Sequence, residues 1–583
     1  MKNKIILINT SLFFVAIIFF SSCSDSEKEK QVYANAMMGG IMCLNETGNC
    51  NSLNPISVTE TPSYHIGSQI FEGLVKFNQT DLTIKPAIAR TWDMNENQTI
   101  WTFHLRQDVV FHADSCFKNQ KDRKLSAHDI KWCFEKLCTF DTINSQFEIT
   151  FKEHVLGALE TFEATKSGKK LAVSGIKVVN DSTLVINLNA PFAGFLNILA
   201  MQGCWIYPKE AYEKYGNGIS THPVGTGPFY LESMKAGQLM ILKKNPDYYA
   251  IDNQNNKLPY LDELRYTFIK DKKLEILAFK SKKLDMVNNV PVSMFHELIG
   301  NLEDAKKQPA NFQTFNVSSF NTNYLGFNIA SPVFRNKNLR LAINLAIDRK
   351  KITDYILKGE VTKADGVVPF IEAFEKNGYN YKKLQGFDYD LTKAKTYLNK
   401  AGYPNGKGFP KVVLQINTDE KGRNILVADA IKNMLQENLN ITIDVEVLPF
   451  TDHMQKISAG ETHFFRFGWT GDYLDPESFL RLFYGKDVSE GMNEKTGNNF
   501  SNFKNARFDS LLSASFIEKN LTKRYTLLSL AEQIVLDEAP VIPLFYEENL
   551  RLEQSNVCNF PENAISFMDL SAVYLNPKKG NLE

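Results

Sequence analysis

No sign of charge predominates in this sequence. Its 583 residues carry 66 Lys+Arg against 66 Asp+Glu. A nucleic-acid binder ordinarily has a basic surplus, so the flat balance argues against that class while leaving room for a local basic patch. No two cysteines are spaced CxxC, which removes support for a zinc ribbon or a thioredoxin-type motif. HExxH, a GxSxG elbow and SxxK with its usual companions are all missing, and with them the commonest marks of extracytoplasmic hydrolases. There is no strong repeat, no low-complexity tract and no long block of one charge. Past the N-terminal segment, no stretch approaches the ~18 apolar residues of a spanning helix.

What is present is globular. Hydrophobic residues make up 43% and charged residues 23% of the chain. At roughly 100–200 residues per domain, the length predicts two to four domains, each able to bury a core. The 42 Phe and 22 Tyr are enough to line apolar pockets, although most such rings belong to cores.

The N-terminus reads as an address. Met1–Lys4 holds two lysines, Ile5–Phe20 is almost wholly apolar, and Phe20-Ser21-Ser22-Cys23 follows. The last four resemble a bacterial lipobox, with Phe20 where Leu is preferred. Residues 1–22 are therefore expected to be a lipoprotein signal peptide and Cys23 the lipidated residue. A plain signal peptide with a coincidental cysteine is the alternative. Ser24–Lys30 (SDSEKEK) suits a solvated tether. Removing residues 1–22 leaves 64 basic against 66 acidic side chains.

Seven further cysteines remain: 43, 50, 116, 133, 138, 204 and 558. An odd number leaves at least one free or paired between chains. Cys43 and Cys50 flank a turn-rich segment, where a disulfide and two buried thiols are both compatible with the spacing.

Hydrophobic periodicity alternates along the chain. Ile100–Leu105, Thr183–Leu188 and Ile441–Val447 read as strands, the last as half-buried. Leu339–Ile347 reads as a helix buried on most sides, Asp429–Leu435 as a second helix, and Leu527, Leu528, Ala531, Ile534 and Val535 as one face of a third. His222–Phe229 is too rich in Gly and Pro for a helix interior and must be a defined loop, while Ala401–Gly408 ends a helix and turns the chain. Such mixing predicts an α/β or α+β protein. Among isolated candidates, His104 and His112 lack metal spacing, Asn405–Gly408 only superficially matches a phosphate loop, and the Asp472/Asp475 pair is a weak acid–base signal.

An ordered series of segments carries more. It runs Ser52–Pro55, Gln69–Val75, Pro86–Trp92, Trp101–Arg106, Leu125–Ile130, Pro223–Phe229 (PVGTGPF), Asn245–Tyr249, Leu339–Arg349 (LRLAINLAIDR), Ala401–Pro410, Gly468–Tyr473 (GWTGDY) and Ala539–Tyr546 (APVIPLFY). Together, across nearly all of the mature chain, these resemble the extracellular solute-binding proteins of family 5, the peptide- and nickel-type receptors of ATP-driven importers. His112–Lys124 and Met37–Cys50 depart from the family pattern. The resemblance implies an α/β clamshell of the two-lobed periplasmic-binding-protein kind (type II, cluster C-like) with an additional inserted domain. It divides the chain into lobe I (23–71 with 207–320 and 549–583), an inserted domain II (72–206) and lobe II (321–548).

The resemblance also implies a role for individual residues. The aspartate of the Gly-Trp-x-x-Asp motif, here Asp472, is expected to meet a peptide's α-ammonium; a turn or cap residue is its alternative reading. Arg466 is expected to meet the peptide carboxylate, with an internal salt bridge as its alternative. Gly468, Trp469 and Thr470 belong to the same segment, and Trp469 is a pocket wall or core. Thr59, Glu60 and Thr61 stand where such receptors offer backbone to the ligand. Asp348 and Arg349 are read as a structural ion pair. The expected protein is no enzyme and has neither cofactor nor metal. It is a monomeric, lipid-anchored receptor on the periplasmic or cell-surface side of a bacterial membrane, passing short peptides to an ABC permease and binding no nucleic acid. Nickel chelate, haem or oligosaccharide cargo on the same fold is the first alternative, with His463 the nearest metal candidate. A secreted hydrolase is the second.

Overall fold

Alternation in Ile100–Leu105 sends Trp101, Phe103 and Leu105 to one face, where all three are buried, and leaves Thr102 and His104 half-exposed. This is the pattern of a strand with one covered face. The computed structural model describes residues 38–291, 294, 312–419, 422–488, 497–565 and 567–576. The N-terminal signal, Cys23 and the tether lie outside the described residues. Ile100–Leu105 sits inside a four-stranded antiparallel sheet, ordered Ala89–Met94, Ile100–Leu105, Thr183–Asn187, Ile176–Asn180. The helix Ala127–Leu137 contributes the buried Ile130, Phe134 and Leu137 to the same core. Its start explains one of the family-like segments: Ser126 and Asp129 form a capping box, with the Ser126 N–H donating to Asp129 Oδ2 at 2.8 Å.

A second four-stranded sheet is ordered Ile41–Asn45, Glu263–Thr267, Leu239–Lys244, Phe229–Lys235, the first pair parallel and the rest antiparallel. The loop PVGTGPF leads into its edge. There a Cβ on Gly225 would stand 2.0 Å from the Ile70 carbonyl oxygen, and one on Gly227 would stand 2.5 Å from that of Gln69. Only glycine permits this approach, and the Gly227 N–H uses it to donate to Ile70 O at 2.8 Å.

The other lobe is built around Asn321–Phe327. It pairs with Phe464–Thr470 on one side and with the long strand Val541–Gln554 on the other; Val413–Asn417 and Asp444–Leu448 extend the sheet in parallel. Helices Lys337–Ala346, Leu391–Lys400 and Arg423–Leu439 contribute to its separate core, which includes Phe327, Phe334, Leu339, Ile343, Leu414, Ile431, Leu435 and Phe464. Each such fully buried side chain contributes about 1.5–3 kcal/mol.

The two lobes share one strand. The first part of Val541–Gln554 pairs with Asn321–Phe327 and Val361–Lys363, while its second part pairs with Phe312–Ser318. The chain therefore crosses between lobes twice, side by side, and the Ser319 N–H donates to Glu547 O at 2.8 Å where it does so. Among the described residues no helix is long and apolar enough to cross a membrane.

Two expectations change and one open alternative is resolved. The strand read as Ile441–Val447 spans Asp444–Leu448. Asn440 caps the preceding helix in the left-handed region, and Ile441 and Ile443 pack into the core before edge pairing begins at Val413. Asp348 and Arg349 do not pair. Asp348 Oδ1 caps Lys351 N at 3.0 Å, and the buried Arg349 guanidinium donates to the Asn344 side chain and to carbonyl oxygens, among them Phe387 O at 2.9 Å. The seven described cysteines are all free, so Cys43 and Cys50 form no disulfide. Burial pushes the Cys50 thiol up to about 11.

Candidate ligand site between the lobes

The crossing strands floor a cavity of about 450 Å³, within the roughly 300–1,000 Å³ usual for small-ligand sites. Ser319, Phe320, Asn321 and Glu547 come from the crossing itself. One wall is the start of helix Thr61–Ile70 with the residues before it: Thr59, Glu60, Thr61, Tyr64 and His65. The facing wall is the segment Thr470–Leu474.

That facing segment is held by specific contacts. A Cβ on Gly471 would stand 2.2 Å from the Phe320 ring, and the Gly471 N–H donates to Phe320 O at 3.0 Å. The Trp469 indole donates to Ser478 O at 3.0 Å, and the Asp472 N–H to Ser478 Oγ at 2.8 Å. The Asp472 carboxyl is thereby presented to the cavity, and among the described residues it has no hydrogen-bond or ion-pair partner. Asp472 is exposed to water in the cavity, and the protein around it removes part of its hydration, which pushes its carboxyl up to about 6 against a smaller lowering by the Arg481 guanidinium.

The charge of the lining has one sign. Glu60, Asp472 and Glu547 carry carboxyls, and among the described residues no lysine or arginine lines the cavity. Glu547 is already satisfied, because Arg423 Nη2 lies 3.0 Å from its Oε2. Glu60 and Asp472 are not in ion pairs among the described residues. The arrangement suits a ligand that brings positive charge and hydrogen-bond donors.

Of the residues named from sequence, Thr59, Glu60, Thr61, Thr470 and Asp472 line this cavity. Arg466, Gly468 and Trp469 lie further back on strand Phe464–Thr470 and do not line it. The Arg466 guanidinium donates to Asn417 Oδ1 at 3.1 Å and to the Asn323 side chain, in a small apolar recess shared with Leu325 and Ile416. It makes no ion pair among the described residues. Trp469 is half-buried, with its ring stacked on Phe467 at 6.3 Å. Asp475 is paired with Arg524, which removes it as an acid–base partner of Asp472. His463 Nδ1 lies 3.0 Å from Ser331 Oγ and is absent from the cavity lining. Sequence reasoning missed Tyr64, His65, Phe320 and Glu547. Glu547 directly follows the APVIPLFY segment, and that adjacency was the available signal; nothing local marks His65.

Two lobes joined by paired crossing strands, with an empty-handed carboxyl in the gap between them, define a solute-capturing clamshell. A family model described as "Bacterial extracellular solute-binding proteins, family 5 Middle" matches residues 83–491, more than half of the chain, and the chain belongs to that family. Heme-binding protein A of Haemophilus influenzae is 28% identical over 508 residues, covering 84% of each chain. Oligopeptide-binding protein OppA of Bacillus subtilis is 27% identical over 515 residues, covering 87% of each. Among solved structures, DppA from Helicobacter pylori in complex with peptide STSA superposes with a TM-score of 0.68 at 26% identity, covering 94% of this chain and 99% of that one. The unliganded open form of the murein tripeptide-binding protein MppA gives 0.76 at 22% identity, covering 93% and 99%, a likeness of fold.

Proposed function

We propose that this protein is the lipid-anchored receptor of an ABC importer, and that it captures short peptides by their free amino terminus in the cavity between the lobes. The observation that carries this reading is the Asp472 carboxyl on an acid-lined wall, without a hydrogen-bond or ion-pair partner among the described residues. An α-ammonium supplies the missing counter-charge. Asn321 and Thr470, whose side chains are joined at 3.1 Å, and the backbone of Thr59–Thr61 offer polar groups to an extended chain in the manner of an added strand. The Arg466 guanidinium lies outside the lining of the cavity, so a role toward the peptide carboxylate requires a ligand long enough to reach its recess.

Closure follows from where these groups sit. Asp472 belongs to the lobe of residues 321–548, while Thr59–Thr61 belong to the other. A ligand held by both favours the closed arrangement by as much as it binds that form better, and the permease then meets a surface that mainly the loaded protein offers. The scheme adopts the domain division expected from sequence, with bending proposed at Ser319–Asn321 and Tyr546–Glu547. No catalytic role is proposed for any residue.

The acid lining disfavours haem, whose propionates would face Glu60 and Asp472, and the relative that is named a heme-binding protein does not outweigh that chemistry. The test is calorimetry with di- to tetrapeptides bearing free or acetylated amino termini. Free-amine peptides are expected to bind, acetylated ones to bind at least tenfold more weakly, and Asp472→Ala to cost tenfold or more. Equal affinity in the variant removes Asp472 from the site.

A further inference from the structure

Glu60 and His65 line the same cavity as Asp472, on the wall that faces it. Glu60 stands at the N-cap of helix Thr61–Ile70, where a carboxylate ordinarily collects the free N–H groups of its own helix. It does not do so here: its side chain makes no capping bond. Instead Asn51 Nδ2 donates to Glu60 Oε1 at 3.0 Å and holds the group away, while Glu60 Oε2 is buried with no partner among the described residues. One turn on, His65 is only 4% exposed and also lines the cavity. Its Nδ1 lies 2.7 Å from Glu46 Oε1, so the carboxylate fixes Nδ1–H as the donor. In the neutral ring Nε2 is then a bare acceptor, and it is buried without a partner among the described residues.

The helix N-terminus works against a cation here, with an effective charge of roughly +0.5. Glu60 brings a full negative charge to the same point, and Glu46 stands behind His65, so the local balance still favours positive charge. Among the described residues no lysine or arginine of the lining competes for it.

We propose that Glu60 and His65 form a subsite for a basic side chain, so that the preferred cargo is a short peptide carrying a lysine or arginine in addition to its free amino terminus. This deepens the peptide reading above and rests on it. The two cations would then be held by opposite lobes, Asp472 taking the α-ammonium and Glu60 with His65 taking the side chain, which ties the second charge to closure as well as to affinity.

The experiment compares tripeptides of alanine in which lysine, or its uncharged isostere norleucine, is placed in turn at positions one, two and three, by calorimetry on the full mature chain. At one position lysine is expected to bind at least tenfold more tightly than norleucine. In Glu60→Gln that preference is expected to fall to within about twofold. Norleucine matching lysine at all three positions in the native protein overturns the inference and leaves the peptide reading standing. A preference that survives intact in Glu60→Gln overturns the assignment to Glu60. Failure of every free-amine peptide to bind removes the peptide reading, and this inference with it. The native-protein comparison needs no variant, so it stands whatever Glu60→Gln does to folding.

Discussion

A carboxyl that water reaches and protein surrounds has unusual acid–base behaviour, and Asp472 is such a group. Its pKa is raised to about 6. The folded, unliganded protein therefore holds a proton on Asp472 more readily than the unfolded chain does, and its ionised form costs stability that is relieved as pH falls from about 6 toward the ordinary carboxylate range. A bound ammonium needs the ionised form. Affinity for a free-amine peptide is thus expected to be greatest near pH 7, to weaken below about 6 toward tenfold per unit as Asp472 takes a proton, and to decline toward about pH 8 as the peptide amine loses its own, while Asp472→Asn should bind weakly and lack the acid limb. Calorimetry from pH 5 to 8 checks this; a level profile in the native protein contradicts it. At the same scale, much of the family-like signal proves to be architectural. Gly225 and Gly227 admit a carbonyl, and Ser126 and Asp129 cap a helix. Asp472 was legible because its motif is contiguous. His65 was not, because its importance comes from Glu46, nineteen positions away, and from a cavity assembled out of several distant segments.

At the scale of elements, the loop that carries Asp472 depends on the helix Leu521–Glu538. Arg524 of that helix is buried and pairs with Asp475, which also accepts the Glu477 N–H at 2.9 Å; Arg524 Nε reaches Ser515 O at 3.1 Å. A buried pair contributes modestly against an apolar replacement, but removing one partner strands the other. Arg524→Met is expected to lose about 3–5 kcal/mol, read as a lower urea midpoint, and Asp475→Asn combined with Arg524→Met to lose less than the single change. If the double variant is the worse of the two, the pairing argument fails. The helix itself was readable from its apolar spacing, since Leu528, Ala531 and Val535 are buried as expected. Its buried Arg524 and Glu532 were not readable, because periodicity reports where hydrophobic groups recur and says nothing of a polar group whose partner lies on another element.

For the whole molecule, capture requires the two lobes to move about the paired crossings while the body stays near its membrane. In the proposed reading, a lipid on Cys23 and the segment after it supply the second requirement. Cys23→Ser is expected to shift the protein from the membrane to the soluble fraction after cell lysis, with peptide affinity unchanged, since the mature body carries the cavity. An unchanged membrane fraction would mean that Cys23 carries no lipid. The alternating strand and helix patterns, the ordered family segments and the contiguous GWTGDY were all present in the sequence by itself, because each depends on neighbours within a few residues. They carried the α/β class and the family, and the resemblance pointed to Asp472 and to Thr59–Thr61 as candidates for the site. Only the tertiary structure decided that His65 and Glu547 share a cavity with Asp472 and Glu60, that Arg466 sits behind it, and that the seven described cysteines are unpaired. Those facts depend on which distant segments meet at the crossing of Ser319 and Glu547, and a contact between segments hundreds of residues apart leaves no trace in local spacing.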